Sequence, residues 1–242
     1  MQRKNVEQDN QTLISFWDQA FTLSEEQKAQ ILNQQEDWKK LAPSEKLFLA
    51  AHSLGQRKKV LDFGCGTAWA AIIAAKGGCP DVTAADAAPA AVQAARLYAA
   101  RYGAADRIRF ERAGAGWLQS VPSETYDGIF CSNVLDVIPP ETAEEIIRET
   151  ARILKRDGSL IVGLNYYLSP EAAAARGMEL TDGSRLYMNG VLRLISRTDE
   201  KWAEFFSPWY AVEKLTHFAW PGEEAETRRL FWLKKREQRM RR

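Results

Sequence analysis

Apolar and polar positions follow two different periods along this chain. Near the N-terminus Leu13, Phe16, Trp17, Ala20 and Phe21 recur at helical spacing, an apolar stripe on a polar segment. Ser24-Glu-Glu-Gln then opens a second helix with a capping signature. From residue 60 onward, short apolar runs alternate with helical segments. Val60-Leu-Asp-Phe63 reads as a strand, and Gly64 and Gly66 follow as a turn. An alanine-rich helix comes next, from Ala68 to Lys76, and Gly77-Gly78 ends it. Asp81–Asp86 is a second strand, after which Pro89 begins a long alanine-rich helix ending at Tyr102-Gly103. Arg107–Glu111 and Tyr126–Ser132 are the third and fourth strands. Pro139-Pro140 opens a helix whose residues Ala143, Ile146, Ile147, Thr150, Ala151 and Leu154 share one face. Arg156-Asp157-Gly158 is expected to turn the chain into a fifth strand, Ser159–Asn165. Strands alternating with helices at this spacing predict an α/β fold.

The pattern breaks at Tyr166–Arg185, which holds Leu168-Ser-Pro170, an alanine run, Gly177 and Asp182-Gly183. Leu186–Ile195 is apolar, with Asn189-Gly190 inside it. Ser196–Glu200 caps a helix to Phe206, and Trp209–Trp220 and Arg229–Leu233 are the last two strands. The basic tail from Lys234 to Arg242 is expected to be a solvated terminus.

Composition narrows the class. The chain has 242 residues, 45% hydrophobic and 27% charged, enough for a substantial core in one domain with a terminal extension. A net charge of +1 gives no bias toward nucleic acid or an anionic membrane. The polar start, Met-Gln-Arg-Lys-Asn, has no apolar signal region, and no apolar run is long enough to span a bilayer. Cys65, Cys79 and Cys131 are odd in number and widely spaced, which fits neither a disulfide framework nor a zinc site. A reducing cytoplasm is the expected compartment. No metal is expected.

The chemistry concentrates in Asp62-Phe-Gly-Cys-Gly-Thr-Ala68. A strand, a glycine turn and a helix start give a tight backbone bend beside unpaired N–H groups. Asp62 would repel a pyrophosphate but suits a ligand bearing an ammonium group. The dinucleotide fingerprint G-x-G-x-x-G needs glycine at position 69, and that residue is Trp69.

This stretch resembles the first motif of the class I S-adenosylmethionine-dependent methyltransferases, Asp/Glu-x-Gly-x-Gly-x-Gly, with Ala68 at the third glycine. The resemblance extends over about residues 56–166. It implies a doubly wound, mostly parallel seven-stranded sheet with helices on both faces, closed by an antiparallel pair at one edge. It implies S-adenosylmethionine as cofactor, with Asp62, Gly64, Cys65 and Gly66 around its methionine part. It also implies Asp86 and Ala87 at the ribose, Gly114 near the adenine, and Asn133 at the end of the fourth strand beside the sulfonium. Asp86 has a second reading as the cap of the next helix. Many family members carry an acid for the adenine amino group where this chain has Ala113-Gly114, so a backbone carbonyl or packing, for which Trp117 is a candidate, takes that place.

Residues 1–55 are expected to form an N-terminal helical cap and 56–242 the methyltransferase domain, with a substrate-side insertion near 166–190. Related enzymes fold such a cap over the site, which makes Phe16 and Trp17 candidate lid contacts, Trp17 toward the cofactor. A plain core role for the stripe is the alternative. Tyr166, Tyr167 and Tyr187 are candidate pocket aromatics, His217 is a candidate general base, and His52 is a second histidine without a site. The Asp/Asn-Pro-Pro-Tyr/Phe signature of base-amine methyltransferases is absent, since Ser132-Asn-Val-Leu stands there. The expected reaction is direct methyl transfer to a small molecule. The alternatives are an RNA- or protein-directed enzyme and a non-catalytic cofactor-binding protein.

Overall fold

The computed structural model describes residues 2–33 and 36–236, without the side chains of 2–5. Most of the basic tail, from 237 on, lies outside the described residues.

Five parallel strands form the centre: β1 (Lys59–Phe63), β2 (Asp81–Asp86), β3 (Ile108–Arg112), β4 (Tyr126–Ser132) and β5 (Leu154–Leu164). Two further strands, β9 (Tyr210–Phe218) and β10 (Arg228–Lys235), complete a seven-stranded sheet in the order β3-β2-β1-β4-β5-β10-β9. β10 runs antiparallel between β5 and β9. The order reverses beside β1, so a crevice opens at the carboxyl ends of β1 and β4, where ligands of doubly wound folds bind.

The period of two is visible in the burial. Val60, Val82, Ala84, Phe130, Ile161 and Leu230 face one core, with α3 (Glu45–Ser53), α4 (Trp69–Lys76) and α5 (Pro89–Arg101). Their neighbours Leu61, Ala85, Ile129, Cys131, Val162 and Phe231 face the other. That side is covered by α6 (Ala115–Ser120), α7 (Pro140–Ile153) and α9 (Asp199–Phe206). Residues Ala70–Ala75 of α4 are all buried, as a helix apolar on every side must be. Of the N-terminal helices, α3 belongs to this core through Leu47, Ala50 and Ala51. The two before it, α1 (Gln2–Phe21) and α2 (Glu25–Asn33), pack on α5, and α1 also reaches the small sheet described below.

Two local expectations change. Arg156-Asp157-Gly158 is not a turn: β5 runs unbroken from Leu154. Its register with β4 jumps from Tyr126↔Leu154 to Gly128↔Ser159, so the extra residues are absorbed as a bulge. The segment after β5 is more ordered than its composition suggests. It holds α8 (Pro170–Ala175) and a three-stranded antiparallel sheet, β6 (Glu179–Thr181), β7 (Arg185–Met188) and β8 (Val191–Ile195). Asp182-Gly183 and Asn189-Gly190 all have φ between 48° and 74°, the left-handed pairs that tight hairpins require.

Candidate functional site

The glycine turn after β1 is built so that the backbone comes close to its neighbours. Gly64 has φ +71°, and a Cβ there would lie 2.1 Å from Val134 Cγ2. The Gly64 and Cys65 amides both donate to the Ala85 carbonyl, at 2.8 and 3.0 Å, which ties the turn to the end of β2. Ala68, at the third glycine position of the motif, also holds a left-handed conformation (φ 60°) and gives α4 no side-chain cap.

Asp62 supplies that cap from the strand below. Its Oδ2 accepts the Ala71 amide at 3.0 Å, and the residue is 4% exposed. Burial pushes its carboxyl up to about 7, against the pull of the Ala71 hydrogen bond, and the nearby Asp86 charge adds to the rise. Asp62 lies behind the turn and does not line the crevice.

Asp86 does line it. One carboxylate oxygen accepts the Gly66 amide and the other the Ala88 amide, both at 2.9 Å. The first bond fixes the glycine turn and the second holds Ala88, the residue before α5. The first-turn amide of α5 at Ala90 goes to Asp18 instead, so Asp86 is not the cap of that helix. Each oxygen keeps a lone pair. Burial raises this carboxyl too, with the Ala88, Gly66 and Ala87 amides opposing it.

The crevice is a cleft of about 590 Å³ bordered by Gly64, Cys65, Gly66, Asp86, Ala87 and Gly114, with Trp17, Phe21 and Trp69 among its aromatic walls. A second cavity of about 320 Å³ adjoins it. Leu13, Trp17, Asn133, Val137 and Trp220 border both. Phe16, Tyr166, Met188 and Leu192 belong to the second alone.

The α1 helix forms the roof. It is pinned at three points: Tyr187 donates to Asp9 at 2.8 Å, Asn10 donates to Thr142 at 2.9 Å, and Asp18 accepts the Ala90 amide at 2.7 Å. The last bond caps α5, which has no cap of its own in Ala88. Phe21, at the end of α1, stands over the glycine turn, with Cζ 3.0 Å from where a Gly66 Cβ would be.

Asn133 sits at the end of β4 in a left-handed conformation (φ 57°). Its Nδ2 donates to Asn165 Oδ1 at 3.0 Å. The same Asn165 oxygen takes a hydrogen bond from Arg228, which Glu223 holds at 2.6 Å. The Asn165 amide in turn donates to buried Asp136 at 2.6 Å. This network fixes the floor between the two cavities.

The other sequence candidates fall elsewhere. His217 pairs with Asp199 at 2.8 Å and lines neither cavity, so nothing places it at the reacting atoms. His52 stacks on Phe48 and Trp38. Trp117, on α6, packs on the core rather than into the cleft, whose border there is Ala113–Gly116. Tyr166 lines the second cavity, Tyr167 points outward at 45% exposure, and Tyr187 anchors the roof. Phe21, Val134 and Trp220 are the additions. Phe21 lies on the predicted stripe. Trp220 gives no local signal, because only the return of β9 brings it to the site.

The described cysteines are free and buried, and no group of three or more His, Cys, Asp or Glu could hold a metal among the described residues. No described helix is long and apolar enough to cross a membrane.

Comparison with known proteins agrees with the geometry. Residues 60–158 match a family profile described as a methyltransferase domain. A ubiquinone biosynthesis O-methyltransferase of Neisseria meningitidis serogroup C is 31% identical over 111 residues, 46% of this chain and 45% of that protein. The chain thus aligns with less than half the length of the curated relatives it matches. Among solved structures, a Pyrococcus horikoshii protein superposes with TM-score 0.66 at 17% identity, covering 85% of this chain and 93% of the other. A Burkholderia thailandensis 1,6-didemethyltoxoflavin-N1-methyltransferase, solved with its substrate and S-adenosylhomocysteine, gives TM-score 0.61 at 18% identity over 83% and 81%.

Proposed function

We propose that this protein transfers a methyl group from S-adenosylmethionine to a small molecule held in the second cavity, a reading supported by the match of residues 60–158 to a methyltransferase-domain profile. The observation that carries this reading is the shared wall. Trp17 and Asn133 border the cofactor cleft and the adjoining cavity at once, which is where donor and acceptor must meet.

The residues of the cleft fit the cofactor. Asp86, at the tip of β2, has lone pairs free for ribose hydroxyls. The glycine turn presents backbone without side chains to the methionine part. Ala87, Ala113 and Gly114 leave a flat apolar slot for the adenine. Asp62 acts at one remove, by ordering the turn and the start of α4. A volume of about 590 Å³ is typical of a small-molecule site.

The cofactor supplies a methyl group already activated by its sulfonium. The chain has to align the acceptor, exclude water and stabilise the approach. Asn133, held through Asn165 and Arg228, is the rigid polar group at the junction. Trp17 and Phe16 close the roof, and aromatic faces there favour a cationic sulfonium nearby. No His, Asp or Glu lines the second cavity among the described residues, so catalysis rests on alignment rather than on a resident base.

A cavity of about 320 Å³ under a pinned helix suits a metabolite and not a polymer. The small-molecule relatives from Neisseria and Burkholderia support the same class. Titration of the purified protein with S-adenosylhomocysteine and NAD, followed by labelled S-adenosylmethionine with a metabolite extract, tests the reading. Micromolar binding of the first, about 8 kcal/mol, with label passing to a small product, is the expected result. Preference for NAD, or label found only on macromolecules, would refute it.

A further inference from the structure

The second cavity has a largely apolar body, and the charged side chains that line it among the described residues are cations. Leu168, Leu192, Met178 and Met188 supply apolar wall, while Arg176 and Arg193 are its charged groups among the described residues. Neither arginine has a carboxylate within 4.0 Å among the described residues. Nearby guanidiniums do have partners: Arg185 meets Glu141 at 2.5 Å and Arg228 meets Glu223 at 2.6 Å. Arg193, half-buried on β8, lies 4.4 Å over the Phe16 ring and makes no hydrogen bond to described residues. Arg176, at the end of α8, lies 5.3 Å over the Tyr166 ring, and among the described residues its guanidinium makes one hydrogen bond, to the Tyr166 hydroxyl at 3.4 Å. Aromatic faces hold both guanidiniums in place while most of their N–H groups have no partner among the described residues.

Arg193 is partly buried and Arg176 is exposed; a guanidinium without a counter-charge, the partly buried one above all, gains from a ligand that brings one. Resting on the methyltransferase reading, we propose that the acceptor is an apolar, ring-sized molecule carrying a carboxylate or similar oxyanion, which Arg176 and Arg193 receive. The anion anchors the acceptor at the side of the cavity formed by α8 and β8. The apolar body then runs between the methionines and leucines toward Asn133 and Trp17. The loop-rich insertion thereby sets specificity, while the sheet holds the cofactor.

The test uses calorimetry on the full chain saturated with S-adenosylhomocysteine, titrated with naphthoate, naphthamide and naphthylmethylamine. These probes share one body and differ in charge. We expect naphthoate to bind at least tenfold tighter than either other probe, with the preference shrinking as salt is raised. Arg176→Gln with Arg193→Gln should reduce the preference to within twofold and leave S-adenosylhomocysteine affinity unchanged, because both residues line the second cavity alone. Equal binding of the three probes, tighter binding of the amine, binding of none, or a preference that survives the double substitution would each overturn the proposal. Failure of S-adenosylhomocysteine to bind in the loading step is a separate outcome that removes the methyltransferase reading itself, so the two failures are told apart in one experiment.

Discussion

The buried carboxylate of Asp62 accepts the amide of Ala71 at 3.0 Å, so the strand below caps the helix above it. A carboxyl whose folded pKa is raised holds its proton more tightly in the folded state than in the unfolded one. Its contribution favours folding below the ordinary value of 3.8 and is lost as pH rises through about 7. Asp62→Asn keeps an acceptor for Ala71 without the buried charge. The variant should therefore show a flatter fall of stability between about pH 4 and 7 than the wild type, measured by urea denaturation. Asp86 and Asp136 shift the same way and keep some slope in both proteins. Identical slopes would show that Asp62 ionises normally.

Asp86→Ala removes the acceptor of the Gly66 and Ala88 amides and the proposed ribose partner. Charge-assisted hydrogen bonds contribute roughly 1.5–3 kcal/mol. S-adenosylhomocysteine affinity should accordingly fall by about ten- to a hundredfold in calorimetry. Asp86→Asn, with one oxygen left, should fall between. Wild-type affinity in both variants would move the nucleoside away from β2.

Gly64→Ala should be strongly destabilising for two separable reasons. Its Cβ would lie 2.1 Å from Val134 Cγ2, and its φ is +71°. Val134→Ala in the same chain removes the clash but not the backbone cost, about 1–2 kcal/mol for a left-handed L-residue. Chemical denaturation of the two singles and the double should show partial rescue. Full rescue, or none, would contradict this division.

Asp18→Ala deletes the bond from the roof helix to the Ala90 amide. Loss of such a cap costs about 1 kcal/mol. Hydrogen exchange should quicken in α1 and the first turn of α5 and stay unchanged in β1 and β4. Deleting residues 1–22 should abolish turnover and leave the sheet folded by circular dichroism. A truncated enzyme working at the full rate would remove the roof from the mechanism.

The central layout was legible because Val60–Gly66, Asp81–Asp86 and Tyr126–Asn133 each carry a local signal: an apolar strand that stops at a turn or an acid. The small sheet was harder to read. Glu179-Leu-Thr181 is too short to show alternation, although Asp182-Gly183 and Asn189-Gly190 carried hairpin chemistry that could have been read. His217 looked available because imidazole suits proton transfer, and only the placement of α9 reveals that Asp199 takes it. Asp62 was found by its motif, but a sequence does not show which way a strand side chain faces. The two-residue period puts it on the side of Val60 and α4, behind the turn. The arginines of the second cavity stand out only in three dimensions, because their significance is the carboxylate each one lacks.

Because Trp17 belongs to the walls of both cavities, any shift of its indole on filling one cavity links that occupancy to the other. Whatever factor a bound cofactor adds to acceptor affinity through that indole, a bound acceptor must return to the cofactor. Where the indole moves, the roof is the element through which that reciprocity runs. Replacing one side chain, Trp17, alters a single coupling constant that can be read from either ligand.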